Sequence, residues 1–161
     1  LFLNEEMKLV ENNELQILDI EKEETFELKN EIFNKPILLN GKIDRIDQLN
    51  GTRRIIDYKT GASKPLNITH LSDLIIDEKR SHAFQTLFYS LLKRDLFNED
   101  EQWQAGNIYL KEKHKVFKPL NLGGSNKIDH SRLSDYQLTL HQLLLEIYDL
   151  NIPFKNKEAG S

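Results

Sequence analysis

Residues 41–61 read Gly41-Lys42-Ile43-Asp44-Arg45-Ile46-Asp47-Gln48-Leu49-Asn50-Gly51-Thr52-Arg53-Arg54-Ile55-Ile56-Asp57-Tyr58-Lys59-Thr60-Gly61, two isoleucine-rich runs joined by Asn50-Gly51. Asn-Gly between β-prone runs is a strong hairpin signal, because both turn residues tolerate positive φ. With those two at the turn centre, Leu49 faces Thr52, Asp47 faces Arg54 and Asp44 faces Asp57. The Asp47–Arg54 pair has opposite charges and supports this register. The Asp44–Asp57 pair does not explain itself so easily. Opposed β-carbons lie about 4.5–5.5 Å apart, and two carboxylates there repel unless one is neutral or a cation lies between them.

A divalent ion resolves that conflict, and magnesium suits it, since it takes one or two carboxylates and completes its shell with water and phosphate. Lys59 lies two residues beyond Asp57 and projects from the same strand face. An ammonium there can position an attacking water or stabilise charge developing on phosphorus. A solvated sheet face carrying Asp44, Asp57 and Lys59 is the competing explanation. The surrounding Ile43, Ile46, Ile55 and Ile56 speak for central strands instead.

Outward from the hairpin, residues 15–29 read as one or two strands and 36–47 as the strand entering the turn. A loop over 65–77 ends in an apolar patch at Leu74–Ile76. Residues 80–97 have helical periodicity (Phe84, Leu87, Phe88, Leu91, Leu92), with Ser81 as N-cap. Residues 103–112 and 115–120 read as further strands. A second helix spans 131–150, with Leu133, Tyr136, Leu140, Leu143, Leu144, Ile147 and Tyr148 on its apolar side. The alternation predicts an α/β fold: a mixed central sheet flanked by helices, in one domain over 1–161.

Bulk properties narrow the class. With 161 residues, 39% hydrophobic and 30% charged, the chain has the balance of a globular domain. No membrane-length apolar run or basic secretory leader is present. No cysteine is present, which rules out disulfides and thiolate-held metals within the chain and fits a cytoplasmic setting. The net charge of −4 does not suggest a general nucleic-acid binder. Residues 1–34 carry ten acids against three lysines, however, so the positive charge lies in the remainder and would draw a polyanion there. The chain starts at Leu1 and ends Ala159-Gly160-Ser161, as expected of a piece of a longer protein.

The hairpin, Gly41-Lys42-Ile43-Asp44-Arg45-Ile46-Asp47 followed by Ile56-Asp57-Tyr58-Lys59-Thr60-Gly61, resembles the core signature of the PD-(D/E)XK nucleases. In particular it resembles their RecB-like branch, the nuclease parts of RecB- and AddB-type proteins. Gln85-Thr86-Leu87-Phe88-Tyr89 is similar to that branch's Gln-x-x-x-Tyr motif, with both side chains on one helix face and His82 close to the same side. The resemblance covers roughly residues 15–150 and implies a restriction-endonuclease-like core. It further implies that Asp44 and Asp57 bind Mg2+ or Mn2+ with the backbone carbonyl of Tyr58, and that Lys59 is the catalytic lysine. Gln85 and Tyr89 would then support the site or contact DNA. Glu21 occupies a strand position where relatives often carry Glu; a charged strand face explains it equally well.

Two departures stand out. RecB-like enzymes usually carry an upstream helix with a metal-site His. Residues 1–14 hold no His and leave little room for that helix. Some members also hold an iron–sulfur cluster, which a chain without cysteine cannot supply. Other features read as structural or ambiguous. Lys111, Lys113, His114, Lys115 and Lys118 fit either a DNA backbone contact or a protected sheet edge. Trp103 reads as core or rim, and His130 and His141 as surface residues.

The expected function is metal-dependent hydrolysis of DNA by in-line attack of an activated water. It is exonuclease-like, set in recombination or repair, with DNA and a helicase subunit or domain of the parent protein as partners. A non-catalytic DNA-binding or docking module of the same fold is the alternative. A sequence-specific restriction enzyme shares the chemistry but not the Gln-x-x-x-Tyr helix.

Overall fold

Asn50 and Gly51 both take positive φ, 47° and 78°, as a type I′ turn requires. The computed structural model describes residues 2–29, 35–113 and 116–153. In it the hairpin strands β2 (Ile37–Leu49) and β3 (Thr52–Lys59) pair in the expected register, Leu49 with Thr52 and Asp47 with Arg54. Before them come helix α1 (Phe2–Asn12) and strand β1 (Leu15–Leu28); after them come β4 (Asn67–Ile68), α2 (Asp73–Ile76) and α3 (Ser81–Leu92). The chain continues through β5 (Gln104–Tyr109), β6 (Phe117–Pro119), β7 (Asn121–Leu122) and α4 (His130–Tyr148). The main sheet has the order β1-β2-β3-β5-β6. β3 and β5 run parallel while the other neighbours run antiparallel. This is the mixed α/β sheet that the alternation of elements predicts, with a two-stranded β4–β7 sheet beside it. No helix among the described residues is long and apolar enough to cross a membrane.

One face of the sheet carries the main core. Ile46 and Ile55 of the hairpin and Ala105 of β5 pack with Leu87 and Leu91 of α3 and Leu133 and Tyr136 of α4. Trp103 belongs to this core: it is fully buried and stacked on Phe97 at 3.9 Å between ring centroids. Gly106 is a close-approach position. A β-carbon there would lie 2.1 Å from the Lys118 carbonyl oxygen and 2.8 Å from the Pro119 α-carbon, both backbone atoms of β6. Gly106→Ala is therefore expected to force β6 away and cost about 1–3 kcal/mol or more. Thermal denaturation should show a Tm lower by several degrees, at roughly 2–4 °C per kcal/mol.

Several elements differ from the sequence expectation. Residues 2–12 do form a helix, where little room for one was expected. It is only 11 residues long, near the length at which an isolated helix is marginal. Its apolar residues Leu3, Met7 and Val10 stay exposed. Contacts from Phe2 and Glu6 to the sheet hold it instead. Residues 15–28 form one strand, with a register shift between Ile17 and Asp19 and Glu21 at φ 50°.

The central helix ends at Leu92, and Ser81 is its first residue rather than its cap. The Asp77 side chain caps a 3-10 turn over Glu78–Arg80 that leads straight into α3, and the Ser81 hydroxyl accepts from Lys64 Nζ at 2.8 Å. Ala83, Thr86, Leu87, Ser90 and Leu91 form the buried face of α3, leaving Phe84 and Phe88 half-buried. Thr86 and Ser90 tolerate burial because each hydroxyl donates to the carbonyl one turn earlier. In α4 only Leu133, Tyr136 and Leu140 are fully buried, while Ile147 and Tyr148 are exposed.

Candidate active site

Alternation along β3 sends Arg54, Ile56 and Tyr58 to one face of the sheet and Ile55, Asp57 and Lys59 to the other. The second face is the one covered by α3. Lys59 Nζ lies 2.8 Å from Asp57 Oδ2 and donates to Gln85 Oε1 at 2.5 Å. Gln85 Nε2 donates in turn to the Tyr89 hydroxyl at 2.7 Å. The residues of the two motifs thus form one hydrogen-bonded row from the central strand to the helix. Gln85 and Tyr89 can meet because they lie one turn apart on α3.

Asn107 completes the row from below, its Nδ2 donating to Asp57 Oδ2 at 2.8 Å. It sits beside Asp57 in the parallel β3–β5 ladder and is fully buried, with Thr86 Oγ1 3.2 Å from its Oδ1. Sequence reasoning missed this residue. Its signal is a lone amide in the apolar run Ala105-Gly106-Asn107-Ile108-Tyr109, since a buried amide needs partners. Both bonds to Asp57 land on Oδ2, so neither engages Oδ1.

Asp44 corrects the expectation of direct opposition to Asp57. The β2–β3 ladder ends one pair earlier, at Arg45 and Ile56. Asp44 Oδ2 instead accepts the backbone N–H of Tyr58 at 2.8 Å. On its other side, the β1–β2 pairs Ile20–Arg45 and Lys22–Ile43 bracket a missing Glu21–Asp44 pair. The cause is a break in the alternation of β2. Ile43 and Ile46 both enter the core, although residues three apart in a regular strand face opposite ways. Asp44 sits at that break, and its carboxylate replaces a backbone acceptor. Glu21 adjoins it across the strands but turns outward to Lys42 Nζ at 2.7 Å, which lowers its pKa. The structure therefore gathers Asp57, Lys59, Gln85 and Tyr89 in one row, with Asp44 bound to the adjoining backbone, and leaves the Glu21 carboxylate outside.

Burial pushes the Asp57 carboxyl above its ordinary range, Lys59 opposes the shift, and the charge of Asp44 adds to it. A buried carboxylate beside a second acid is a place where a divalent cation would be welcome. Among the described residues no third His, Cys, Asp or Glu joins them in a ligand cluster. Two carboxylates fit a magnesium- or manganese-type ion that keeps several waters, and they do not fit a closed zinc site.

His82 lies near the row, with Nδ1 3.0 Å from the Tyr109 hydroxyl. Burial, then Lys59 and Lys64, lower its pKa and favour the neutral imidazole. In the basic stretch, Lys118 pairs with Glu112 at 2.7 Å and lies over the Tyr109 ring, while Lys111 and Lys113 are exposed. His114 and Lys115 lie outside the described residues. His130 is half-buried, with Nε2 3.1 Å from the Phe97 carbonyl, and His141 is half-buried as well, so both keep part of their surface in solvent.

No curated protein matches the chain. One solved structure, described as the crystal structure of SSO0001, is similar at 17% identity and a TM-score of 0.42, over 95% of this chain and 68% of that one. A family model of the PD-(D/E)XK nuclease superfamily matches residues 2–159, nearly the whole sequence, and the chain belongs to that superfamily.

Proposed function

We propose that the chain is a divalent-metal-dependent deoxyribonuclease of the RecB-like branch, acting in an exonuclease-like manner in recombination or repair. The observation that carries this reading is the unbroken row Asp57–Lys59–Gln85–Tyr89 beside Asp44. The Gln85–Tyr89 half of that row supports the RecB-like assignment, because it is the branch's own motif.

Asp44 and Asp57, with the Tyr58 backbone carbonyl, would hold Mg2+ or Mn2+, while Glu21, paired with Lys42, would join them only by leaving that partner. The ion would supply Lewis acidity and a more acidic water. The remaining work falls to the chain's own groups. Lys59 is held between Asp57 and Gln85, so its ammonium has a fixed direction and can meet charge developing on the scissile phosphate. The Gln85 amide is spoken for at both ends, which fixes Lys59 and Tyr89 together. Because the Tyr89 hydroxyl accepts from Gln85, its own proton is available to a phosphate oxygen. A helicase subunit or domain of the parent protein remains part of the proposal on the branch resemblance alone. A non-catalytic docking module of the same fold would have no need of all three of Asp44, Asp57 and Lys59.

The test is cleavage of end-labelled DNA with Mg2+ or Mn2+ and with EDTA, beside an RNA of the same sequence. DNA cleavage that requires the metal and exceeds RNA cleavage is expected. Lys59→Ala should lower kcat about a hundredfold or more, at 1.4 kcal/mol per tenfold, with KM little changed. Equal turnover by Lys59→Ala contradicts the assignment.

A further inference from the structure

We propose that Arg45 and Tyr58 form a clasp on the back of the sheet that positions the front-face acids, and that helix α1 holds this clasp through Glu6 and Phe2. The proposal rests on the nuclease reading of the front face and assigns Glu6, Arg45 and the Tyr58 side chain as positioning residues.

Beyond Arg45 and Ile56 no ladder pair ties Asp44 to Asp57. Two contacts take over, and both end on Tyr58. On the front, the Tyr58 N–H donates to Asp44 Oδ2 at 2.8 Å. On the back, Arg45 Nη1 donates to the Tyr58 hydroxyl at 3.1 Å. The two back-face residues alternate in sequence with the front-face ones: Arg45 follows Asp44, and Tyr58 lies between Asp57 and Lys59. A shift of either clasp residue therefore moves its neighbours.

The clasp is anchored from two directions. Arg45 Nη1 also donates to Glu6 Oε2 at 2.6 Å, and Nη2 lies 2.6 Å from Asp47 Oδ2. The Arg45 side chain is only 7% exposed and Glu6 21%, so water weakens this ion pair far less than it would a surface pair. The Tyr58 ring meets Phe2 edge-on, at 5.5 Å between centroids and 82° between planes. Glu6 and Phe2 are one helical turn apart on α1. α1 buries no residue completely, and these two contacts tie it to the clasp. Seating the helix thereby fixes the Tyr58 peptide, which bonds Asp44 through its N–H and joins Asp57 to Lys59.

The test uses the full chain and the variants Tyr58→Phe, which deletes only the hydroxyl, and Glu6→Gln and Glu6→Ala. The readouts are the Tm rise during a magnesium titration and DNA cleavage kinetics. Groups that orient metal ligands typically cost 10–100-fold when removed. The half-saturating magnesium concentration should accordingly rise about tenfold in Tyr58→Phe and Glu6→Ala, and less in Glu6→Gln. The kcat should fall by a similar factor with KM for DNA unchanged. A lower Tm at every magnesium concentration with an unmoved midpoint assigns these residues to stability alone and overturns the clasp. If the unsubstituted chain neither responds to magnesium nor cleaves DNA, the nuclease reading fails and takes the clasp with it.

Discussion

Asp57→Asn is expected to lower metal-dependent cleavage about a thousandfold or more, roughly 4 kcal/mol of transition-state stabilisation, while making the metal-free chain more stable at neutral pH. The two effects share one cause. Asp57 is 5% exposed, and burial, only partly offset by Lys59 and reinforced by Asp44, raises its pKa above the ordinary range. A raised folded pKa contributes stability that is fully present below the unfolded value, about 4. That stability is lost as pH rises through the folded value. The unsubstituted, metal-free chain should therefore lose Tm relative to Asp57→Asn as pH climbs out of the acid range, and the two should converge again at low pH. Activity has the opposite sign. The ion must displace the Asp57 proton to bind, so at limiting magnesium cleavage should fall as pH drops into the acid range, and added magnesium should offset the loss. In the variant Lys59 keeps its bond to Gln85, so the row is not simply dismantled. Melting curves across pH with EDTA, beside single-turnover cleavage, check both halves.

Asp47→Ala should be the most damaging single change to the fold. Asp47 is fully buried and takes Arg54 in two bonds, Nε to Oδ1 at 2.7 Å and Nη2 to Oδ2 at 2.8 Å. Arg45 Nη2 lies 2.6 Å from the same carboxylate. Removing it leaves two buried guanidiniums with Glu6 as the remaining acid of this group. Breaking a buried ion pair from one side costs about 3–5 kcal/mol, so Tm should drop by roughly 10 °C. Replacing Arg54 as well, Asp47→Leu with Arg54→Met, should recover part of that loss, because one of the two stranded guanidiniums is then gone while Arg45 keeps Glu6. Denaturation followed by circular dichroism measures both; a drop in the single variant no larger than in the double would contradict the pairing.

The hairpin was legible because its information is local. Asn50-Gly51 sets the turn, the turn sets the register, and Asp47 meets Arg54 as a consequence. The Gln85–Tyr89 spacing likewise sets a helix face without help from elsewhere. What the sequence hid depends on contacts between distant segments. Asp44 leaves the ladder because β2 breaks its alternation between Ile43 and Ile46, next to Glu21 at positive φ, and no periodicity rule anticipates that break. Asn107 becomes a site residue only because β5 returns parallel to β3 and brings it beside Asp57. Helix α1 was obscured because its apolar stripe faces outward, and its docking relies on Glu6 meeting an arginine 39 positions later.

The central claim is that Asp44, Asp57 and Lys59 form one metal-dependent nuclease centre. Its most direct test is single-turnover cleavage of end-labelled DNA by the unsubstituted chain, Asp44→Asn and Asp57→Asn, with magnesium or manganese and with EDTA. Metal-dependent cleavage by the unsubstituted chain, absent with EDTA and about a thousandfold slower in each variant, is the predicted result. Cleavage that survives EDTA, or that proceeds equally in Asp57→Asn, would contradict it.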